Sequence, residues 1–226
     1  MAALDLHEQE QVDALKAWWK ENGRLLLLAV VSAAVVLGGV FGWRYLQGQR
    51  QAEAATLFGE VLKQVGSHDP KRVEDAAAQV VSRHASSIYA VRAQLLAAQT
   101  NIEAKNTSAA ASELQWVIDH AGDEGIQDVA RLKLAAMRLD EKKYDDALKL
   151  LDAAHPESFN GLYYDLKGDV YDAQGKKDQA RAAYQQALDK LAPTDNYRNI
   201  VQMKLDGIGG GAQPGAAANA PAGGSK

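Results

Sequence analysis

An uncharged stretch of nineteen residues near the start of the chain constrains its fold more than any other feature. It runs from Leu25 to Trp43, between Arg24 and Arg44, and is rich in Leu, Val and Ala. A helix of this length is about 29 Å long, which matches the hydrocarbon thickness of a bilayer. Because no charge offsets the favourable transfer of these side chains into lipid, the sequence predicts a membrane-spanning helix over 25–46.

Aromatic residues flank this stretch, with Trp18 and Trp19 before it and Trp43 and Tyr45 at its other end. Trp and Tyr favour the headgroup layer of a membrane, where the ring is buried and its polar edge stays wet. Two other interpretations exist for an apolar stretch near the N-terminus: a cleaved signal peptide and the core helix of a soluble protein. Both fit less well, since a signal peptide usually has an apolar core of about 7 to 15 residues and a core helix usually keeps a polar face.

The number of basic residues close to the span differs by one between its two sides, and this difference predicts the orientation. Three basic residues lie before the span and two after it, namely Lys16, Lys20 and Arg24 against Arg44 and Arg50. Basic residues favour the cytoplasmic side, so we expect residues 1–24 in the cytoplasm and the much longer segment after the span outside it. The segment from Glu8 to Lys20 either forms an amphipathic helix on the membrane surface, with a bend at Gly23, or continues the spanning helix upstream.

The composition excludes several classes of function. A formal net charge of −4 leaves no basic surface for nucleic acid, and the absence of Cys excludes thiolate metal sites and disulfide-stapled modules. The five His residues are scattered singly, and neither a nucleophile elbow nor a phosphate-binding loop occurs. We therefore expect a protein that is not an enzyme, with no catalytic, cofactor or metal site and no small-molecule substrate.

Beyond the span, apolar residues recur three and four positions apart and predict an all-α chain. The segment from Gly161 to Pro193 matches the helix–turn–helix pattern of tetratricopeptide repeats. Small and large residues fall at the positions where this pattern packs its helices: Gly168, Tyr171, Gly175, Ala180, Tyr184 and Ala187. Gly175 permits the tight turn between the two helices.

Weaker copies of this repeat precede it at a spacing of about 34 residues. Alanines expected in the second helix of each pair stand at positions 76, 110, 147 and 180, which are 34, 37 and 33 residues apart. In the third pair the pattern also places Leu151 and Ala154 in the second helix. This spacing predicts an α-solenoid of about four helix pairs over 47–206, in which each pair buries its apolar face against its neighbours. An irregular helical bundle with accidental alanine spacing is the alternative.

The end of the chain has a different composition from the repeats. Residues 207–226 consist mainly of Gly, Ala and Pro and contain no aromatic residue. Such a segment buries too little apolar surface to offset the entropy of ordering the chain, so we expect a disordered tail.

Small residues recur every four positions within the predicted span, at Ala34, Gly38 and Gly42. A stripe of this kind lets a second membrane helix approach closely and predicts a helix-packing face, although Gly is common in membrane helices in any case. In the repeats, the polar residues of first helices, such as Asn101, Arg131, Arg138 and Asp172, either line a concave peptide-binding face or are ordinary solvated groups. The sequence leaves the peptide groove unassigned.

Several segments, in their order along the chain, resemble the YfgM family of ancillary subunits of the bacterial SecYEG translocon. The resemblance runs from the N-terminal segment to about Leu205. It is carried by Gln11-Val12-Asp13-Ala14-Leu15-Lys16, Glu21-Asn22-Gly23, Gly42-Trp43-Arg44-Tyr45, Asp165-Leu166-Lys167-Gly168-Asp169, Gly175 with Gln179-Ala180-Arg181, and Gln202-Met203-Lys204.

The resemblance implies a single-pass protein of the bacterial inner membrane, with a cytoplasmic N-terminus and a tetratricopeptide-like domain in the periplasm. It implies SecYEG, the periplasmic chaperone PpiD and nascent secretory proteins as partners, with the lipid bilayer around the span. The expected function is to hand newly translocated proteins to periplasmic chaperones, together with a cytoplasmic influence on a stress-response regulator. The alternative is an envelope scaffold or assembly factor that uses the same repeats without a link to secretion.

Overall fold

The computed structural model of the protein describes residues 6–67 and 69–209. Over these ranges the chain is helical and forms no strand, so the predicted all-α class is confirmed. The described helices are α1 Leu6–Val65, α2 Pro70–His84, α3 Ile88–Glu103, α4 Thr107–His120, α5 Glu124–Asp140, α6 Tyr144–Leu151, α7 Asn160–Ala173, α8 Lys177–Lys190 and α9 Tyr197–Gly207, with a short 3-10 helix at Glu157–Phe159.

The chain divides into two compact units, of which the first ends at Glu53. From Leu6 onwards this unit is a single helix, the N-terminal part of α1, and the large apolar side chains of the predicted span are exposed along it. Within the described residues, α1 is the one helix long and apolar enough to cross a membrane. Gly23 lies inside α1 and is covered by the indole of Trp19, so the helix has no break there and continues upstream of the span.

The second unit begins at Ala54 and contains four helix pairs followed by α9. Each pair consists of a first helix and a second helix joined by a short turn. The pairs are residues 54–65 of α1 with α2, then α3 with α4, α5 with α6, and α7 with α8. The predicted tetratricopeptide-like architecture of about four pairs is therefore confirmed for this unit.

The turns inside three of the pairs share one backbone geometry. Lys105, Lys142 and Gly175 occupy the same place in their turns and have φ angles of 61°, 60° and 75°. In each turn the next amide donates to a carbonyl five residues earlier, as in Lys176 N to Tyr171 O at 2.9 Å. This left-handed position favours glycine, which is why the last repeat is the easiest to identify from the sequence.

The alanine register of the first pair differs from the prediction. In the later pairs the amides of Ala110, Ala147 and Ala180 donate to the carbonyl of the residue before their helix, and in α2 the corresponding donor is Val73. Val73 is fully buried, whereas the predicted Ala76 is half-buried beside it. The prediction of Ala76 was wrong because a larger residue fills this position in the first pair.

The third pair has a shortened second helix. Helix α6 ends at Leu151, and Pro156 follows five residues later, just before the 3-10 helix. Ala154, which the repeat pattern places in this helix, lies beyond its end and is exposed. Helix α6 therefore has eight residues, while α4 and α8 have fourteen each.

Helix α9 closes the last pair through a buried polar cluster. Lys204 Nζ lies 2.8 Å from Asp165 Oδ2 and 2.8 Å from Asp169 Oδ2, both on α7. The Tyr197 hydroxyl donates to Asp165 and the Tyr184 hydroxyl donates to Asp169. Three helices thus meet at one ammonium group. Gly207 is the last residue of α9, and residues 210–226 of the predicted disordered tail lie outside the described residues.

Candidate functional site

Two cavities flank helix α4 on the surface of the repeat unit. Their volumes are about 690 Å³ and 780 Å³. They adjoin, since four residues of α4 line both: Thr107, Ser108, Ser112 and Trp116. We call these two cavities together the α4 groove.

The first cavity lies between α4 and the C-terminal part of α5. Its floor includes Leu134, which is buried, and its rim carries an ion cluster in which Arg138 and Lys143 both contact Glu141. Hydrogen bonds from Lys143 and Arg138 hold the pKa of Glu141 below its ordinary value. Asp119 also lines this cavity, so two cationic side chains face two carboxyl groups and the charges on this side are balanced within the protein.

The second cavity, between α2 and α4, has a different charge pattern. Its lining includes two carboxyl groups, Glu74 from α2 and Glu113 from α4. Among the described residues, no Lys, Arg or His lines it. The remaining lining residues are uncharged, and one of them, Trp116, is aromatic. They are Ala78, Gln94, Asn106, Thr107, Ser108, Ala109, Ser112 and Trp116.

Glu113 is the most unusual residue of this cavity, because it is a carboxyl group that is only 7% exposed. Both of its oxygens lie 3.0 Å from Nδ2 of Asn101 on α3, and Asn101 in turn accepts from Asn106. Burial raises the pKa of Glu113 to about 7, the Asn101 hydrogen bond opposes the shift, and Glu74 adds to it. Near neutral pH this group therefore exchanges between its acid and its carboxylate.

Trp116 stands between the two cavities with a fixed ring. The ring stacks on His120 one turn later, with centroids 4.4 Å apart and planes 7° from parallel. Nδ1 of His120 donates to the Trp116 carbonyl at 2.9 Å, which holds the imidazole in place. The indole is half-buried and presents a rigid apolar surface to both sides of the groove.

Neither Glu113 nor Trp116 was predicted as a site residue, although the sequence carries a signal for one of them. Glu113 follows Ala110 by three positions and precedes Val117 by four, so it lies on the buried face of α4. A carboxyl group on an apolar helix face costs free energy unless it has a partner, and it therefore points to a special environment. Trp116 carries no comparable signal.

Replacement of Glu113 by Gln is expected to stabilise the repeat unit at pH 8 by about 2 kcal/mol. The folded pKa lies above the ordinary 4.5, so the Glu113 contribution to stability is fully present below pH 4.5 and is lost as the pH rises to about 7. Gln keeps an oxygen that accepts from Asn101 but carries no charge. Thermal unfolding of the full chain in detergent, followed by circular dichroism at pH 5 and pH 8, measures the difference.

The matched control is Glu103→Gln, which changes an exposed carboxyl group at the end of α3. This variant is expected to show the same difference in thermal stability between pH 5 and pH 8 as the original chain. A Glu113→Gln variant that is less stable than the original chain at pH 8 would contradict the burial argument, because the ionised carboxylate would then be a net stabilising group.

The polar residues predicted as candidates for a concave face are bound within the protein. Asn101 is held by Glu113, and Arg131 forms an ion pair with buried Asp128 and donates to the Tyr163 hydroxyl. Asp172 pairs with Lys177 across the turn of the last pair. Of these four candidates only Arg138 lines the α4 groove.

The predicted small-residue stripe lies on the exposed surface of α1. A Cβ atom added at Gly38 or at Gly42 would meet nothing within 4 Å. Ala34 is exposed on the same helix. The stripe therefore leaves a shallow, uncovered strip along the predicted span.

The predicted packing positions of the last repeat lie at the contact between α7 and α8. Ala180, Tyr184 and Ala187 are buried, and half-buried Tyr171 packs against their cluster. A Cβ atom added at Gly168 would come within 2.4 Å of the Tyr184 ring. At Gly168 the ring of Tyr184 on α8 therefore packs directly against the backbone of α7.

The described residues contain no group of three or more His, Asp or Glu side chains that could hold a metal ion. Outside the α4 groove, several buried and half-buried polar groups form structural contacts. An example is His155, which stacks on Tyr163 with centroids 3.7 Å apart and contacts the side chain of Asn160. These clusters connect neighbouring helix pairs.

Comparison with known proteins identifies the family of the chain. The model of the tetratricopeptide repeat-like domain family matches residues 16–210. A protein of Neisseria gonorrhoeae named ancillary SecYEG translocon subunit is 32% identical over 91% of this chain and 99% of its own length. Proteins of the same name from Haemophilus influenzae and Escherichia coli are 29% and 28% identical, over 91% and 89% of this chain and 100% and 97% of their own lengths.

No solved structure matches the chain. The match to the repeat model covers the described helix pairs together with the whole of the predicted span. The relatives align along nearly their whole lengths. The chain therefore belongs to the family of ancillary SecYEG translocon subunits.

Proposed function

We propose that the protein is a single-pass subunit of the bacterial inner membrane that associates with the SecYEG translocon and holds newly translocated polypeptides. In this proposal residues 25–46 span the bilayer, residues 1–24 lie in the cytoplasm and the repeat unit lies in the periplasm. The single observation that carries it is the near full-length match to proteins named ancillary SecYEG translocon subunit.

The exposed surface of α1 supports the membrane part of the proposal. Residues 25–46 keep their apolar side chains in contact with the surroundings, a pattern that water penalises and lipid favours. The aromatic residues Trp18, Trp19, Trp43 and Tyr45 are exposed near the two ends of this stretch. These are the depths at which Trp and Tyr contact lipid headgroups.

The α4 groove supports the polypeptide-holding part of the proposal. Helix α4 has fourteen residues and is about 21 Å long, which is the length of about six residues of extended chain. Hydroxyl and amide side chains along it offer donors and acceptors to a peptide backbone, and Trp116 offers an apolar contact. Such a surface fits many sequences, as a carrier of newly translocated chains requires.

The proposed next step is transfer of the held chain to a periplasmic chaperone such as PpiD. The repeat unit carries no catalytic role in this proposal. The cytoplasmic segment 1–24 would carry any influence on a stress-response regulator. Residues Ala34, Gly38 and Gly42 are proposed to contact a membrane helix of the translocon or of the chaperone, because their uncovered strip permits close backbone approach.

Replacement of both Gly38 and Gly42 by Leu is expected to reduce the SecYEG that copurifies with the chain in mild detergent at least fivefold. The added side chains would fill the strip and hold a neighbouring helix several ångströms away. Quantitative immunoblotting of the copurified translocon measures the effect.

The matched control replaces Val36 and Val40 by Leu, which adds bulk to the same stretch away from the stripe. This variant is expected to copurify SecYEG as the original chain does. If equal amounts of SecYEG copurify with the original chain and both variants, the stripe is not the contact. If no SecYEG copurifies with the original chain, the proposed association is wrong.

A further inference from the structure

The charge pattern of the α4 groove points to the chemistry of its occupant. Of the two carboxyl groups that line the cavity between α2 and α4, Glu74 pairs with Lys71 of its own helix at 3.4 Å, whereas Glu113 has no Lys, Arg or His beside it among the described lining residues. In the other cavity of the groove, Arg138 and Lys143 already pair with Glu141. Glu113 is therefore the buried acidic group of the groove that has no basic neighbour among the described lining residues.

Glu113 is positioned to receive a charged partner from outside. Its two oxygens share one amide nitrogen of Asn101, while a carboxylate has about four acceptor positions. The carboxyl group is 7% exposed and lines the cavity, so its remaining acceptor positions are poorly hydrated. A buried carboxylate without a cation is costly, and a cation that enters the cavity would remove that cost.

The remaining lining suits the stem of a long basic side chain. The indole of Trp116, held by its stack on His120, provides a flat apolar wall, and Ala78 and Ala109 leave space beside it. Lys and Arg carry aliphatic stems that pack on such surfaces while the charged end reaches a carboxylate. The cavity volume of about 780 Å³ lies within the range of sites that accept a ligand of this size.

We infer that the cavity between α2 and α4 binds a lysine or arginine side chain of an extended polypeptide, with Glu113 as the carboxylate that pairs with it. The polypeptide continues along α4 into the adjoining cavity. This inference rests on the proposed function of the α4 groove as a polypeptide-binding surface and names the side chain that it selects.

Binding is expected to depend on pH in a defined direction. The groups that face Glu113 are Asn101 on α3 and Glu74 on α2, where Glu74 in turn pairs with the exposed Lys71. Helix α5 contributes no ionisable side chain to this cavity. The pKa of Glu113 is about 7, so a cation meets a carboxylate at pH 8 and an uncharged acid at pH 5. The preference for a basic side chain should therefore increase as the pH rises from 5 to 8.

The test uses the full chain in a non-ionic detergent and fluorescence anisotropy with labelled nine-residue peptides of Ser, Ala and Leu. The peptides differ only at the central residue, which is Lys in one and norleucine in the other. At pH 8 the Lys peptide is expected to bind about tenfold more tightly than the norleucine peptide, and at pH 5 the ratio is expected to fall to about twofold or less.

The Glu113→Gln variant is expected to bind both peptides with equal affinity at both pH values. Because this substitution is expected to stabilise the fold at pH 8, loss of selectivity cannot be assigned to unfolding, and a circular dichroism melt of the same sample checks this. Glu103→Gln, on an exposed position of α3, should retain the tenfold preference.

The outcomes separate this inference from the proposed function. Equal binding of the two peptides by the original chain, or a Lys preference that survives Glu113→Gln, would overturn the inference and leave the groove as a polypeptide-binding surface. Absence of binding by either peptide would overturn both.

Discussion

Replacement of Lys204 by Met is expected to lower the free energy of unfolding of the repeat unit by about 3 kcal/mol. The substitution removes the ammonium group that lies 2.8 Å from both Asp165 and Asp169. The side chain of Asp165 is only 3% exposed, so its carboxylate would remain buried without a cation. Denaturant unfolding of the full chain in detergent measures the loss.

The local consequence should appear at helix α9. Lys204 and Tyr197 connect this helix to α7, so hydrogen exchange of the α9 amides is expected to accelerate more than exchange elsewhere in the unit. Burial lowers the pKa of Lys204, but its hydrogen bonds to Asp165 and Asp169 outweigh burial and raise that pKa overall. The ammonium group therefore stays charged across the pH range of the experiment.

The pH dependence identifies the cause of the loss. Burial raises the pKa of Asp169, so acidification protonates this carboxyl group more readily than an exposed one. The deficit of Lys204→Met should therefore shrink as the pH falls towards 4. Lys190→Met, at an exposed position on α8, is the control and should change stability by less than about 0.5 kcal/mol. A deficit of equal size in both variants would rule out the buried ion cluster as the cause.

Replacement of Gly168 by Ala is expected to cost about 3 kcal/mol. The added methyl group would lie 2.4 Å from Cε1 and 2.5 Å from Cδ1 of the Tyr184 ring. The ring cannot rotate away easily, because Tyr184 is 2% exposed and its hydroxyl donates to Asp169 at 2.8 Å. Helices α7 and α8 must then separate, which opens space throughout their contact.

Gly59→Ala provides the matched control for this substitution. Gly59 also lies inside a helix of the repeat unit, but a Cβ atom there would meet nothing within 4 Å. It should leave stability unchanged or raise it by up to about 1 kcal/mol, as expected for Ala in a helix. If Gly168→Ala and Gly59→Ala melt at the same temperature in detergent, the close approach of α7 and α8 does not contribute to stability as described.

The sequence identified the last repeat well because its determinants are local. Gly175 marks a turn that needs a positive φ, and Gly168 and Tyr184 stand in one helix pair, sixteen residues apart. The first pair was placed in the wrong register, because its buried position is Val73 and alanine spacing cannot detect a valine. The early end of α6 at Leu151 also interrupts the pattern, which placed Ala154 in the helix.

The α4 groove could not be predicted from spacing because it depends on contacts between distant residues. Glu74 and Glu113 are 39 positions apart and share a cavity only when α2 and α4 stand side by side. The two segments Asp165–Asp169 and Gln202–Lys204 carried part of the family resemblance without any apparent physical link. In the structure they form the cluster of Asp165, Asp169 and Lys204 that holds α9.

The most direct test of the account is photocrosslinking from single positions of the repeat unit to a secretory chain arrested in the translocon. A photoreactive residue at Ser112, exposed in the α4 groove, is expected to crosslink to the arrested chain, and one at Asp189, exposed on α8, is not. Crosslinks of equal yield from both positions would contradict the claim that this groove holds newly translocated polypeptides. The absence of crosslinks from both positions, in a sample in which SecYEG still copurifies with the chain, would contradict it as well.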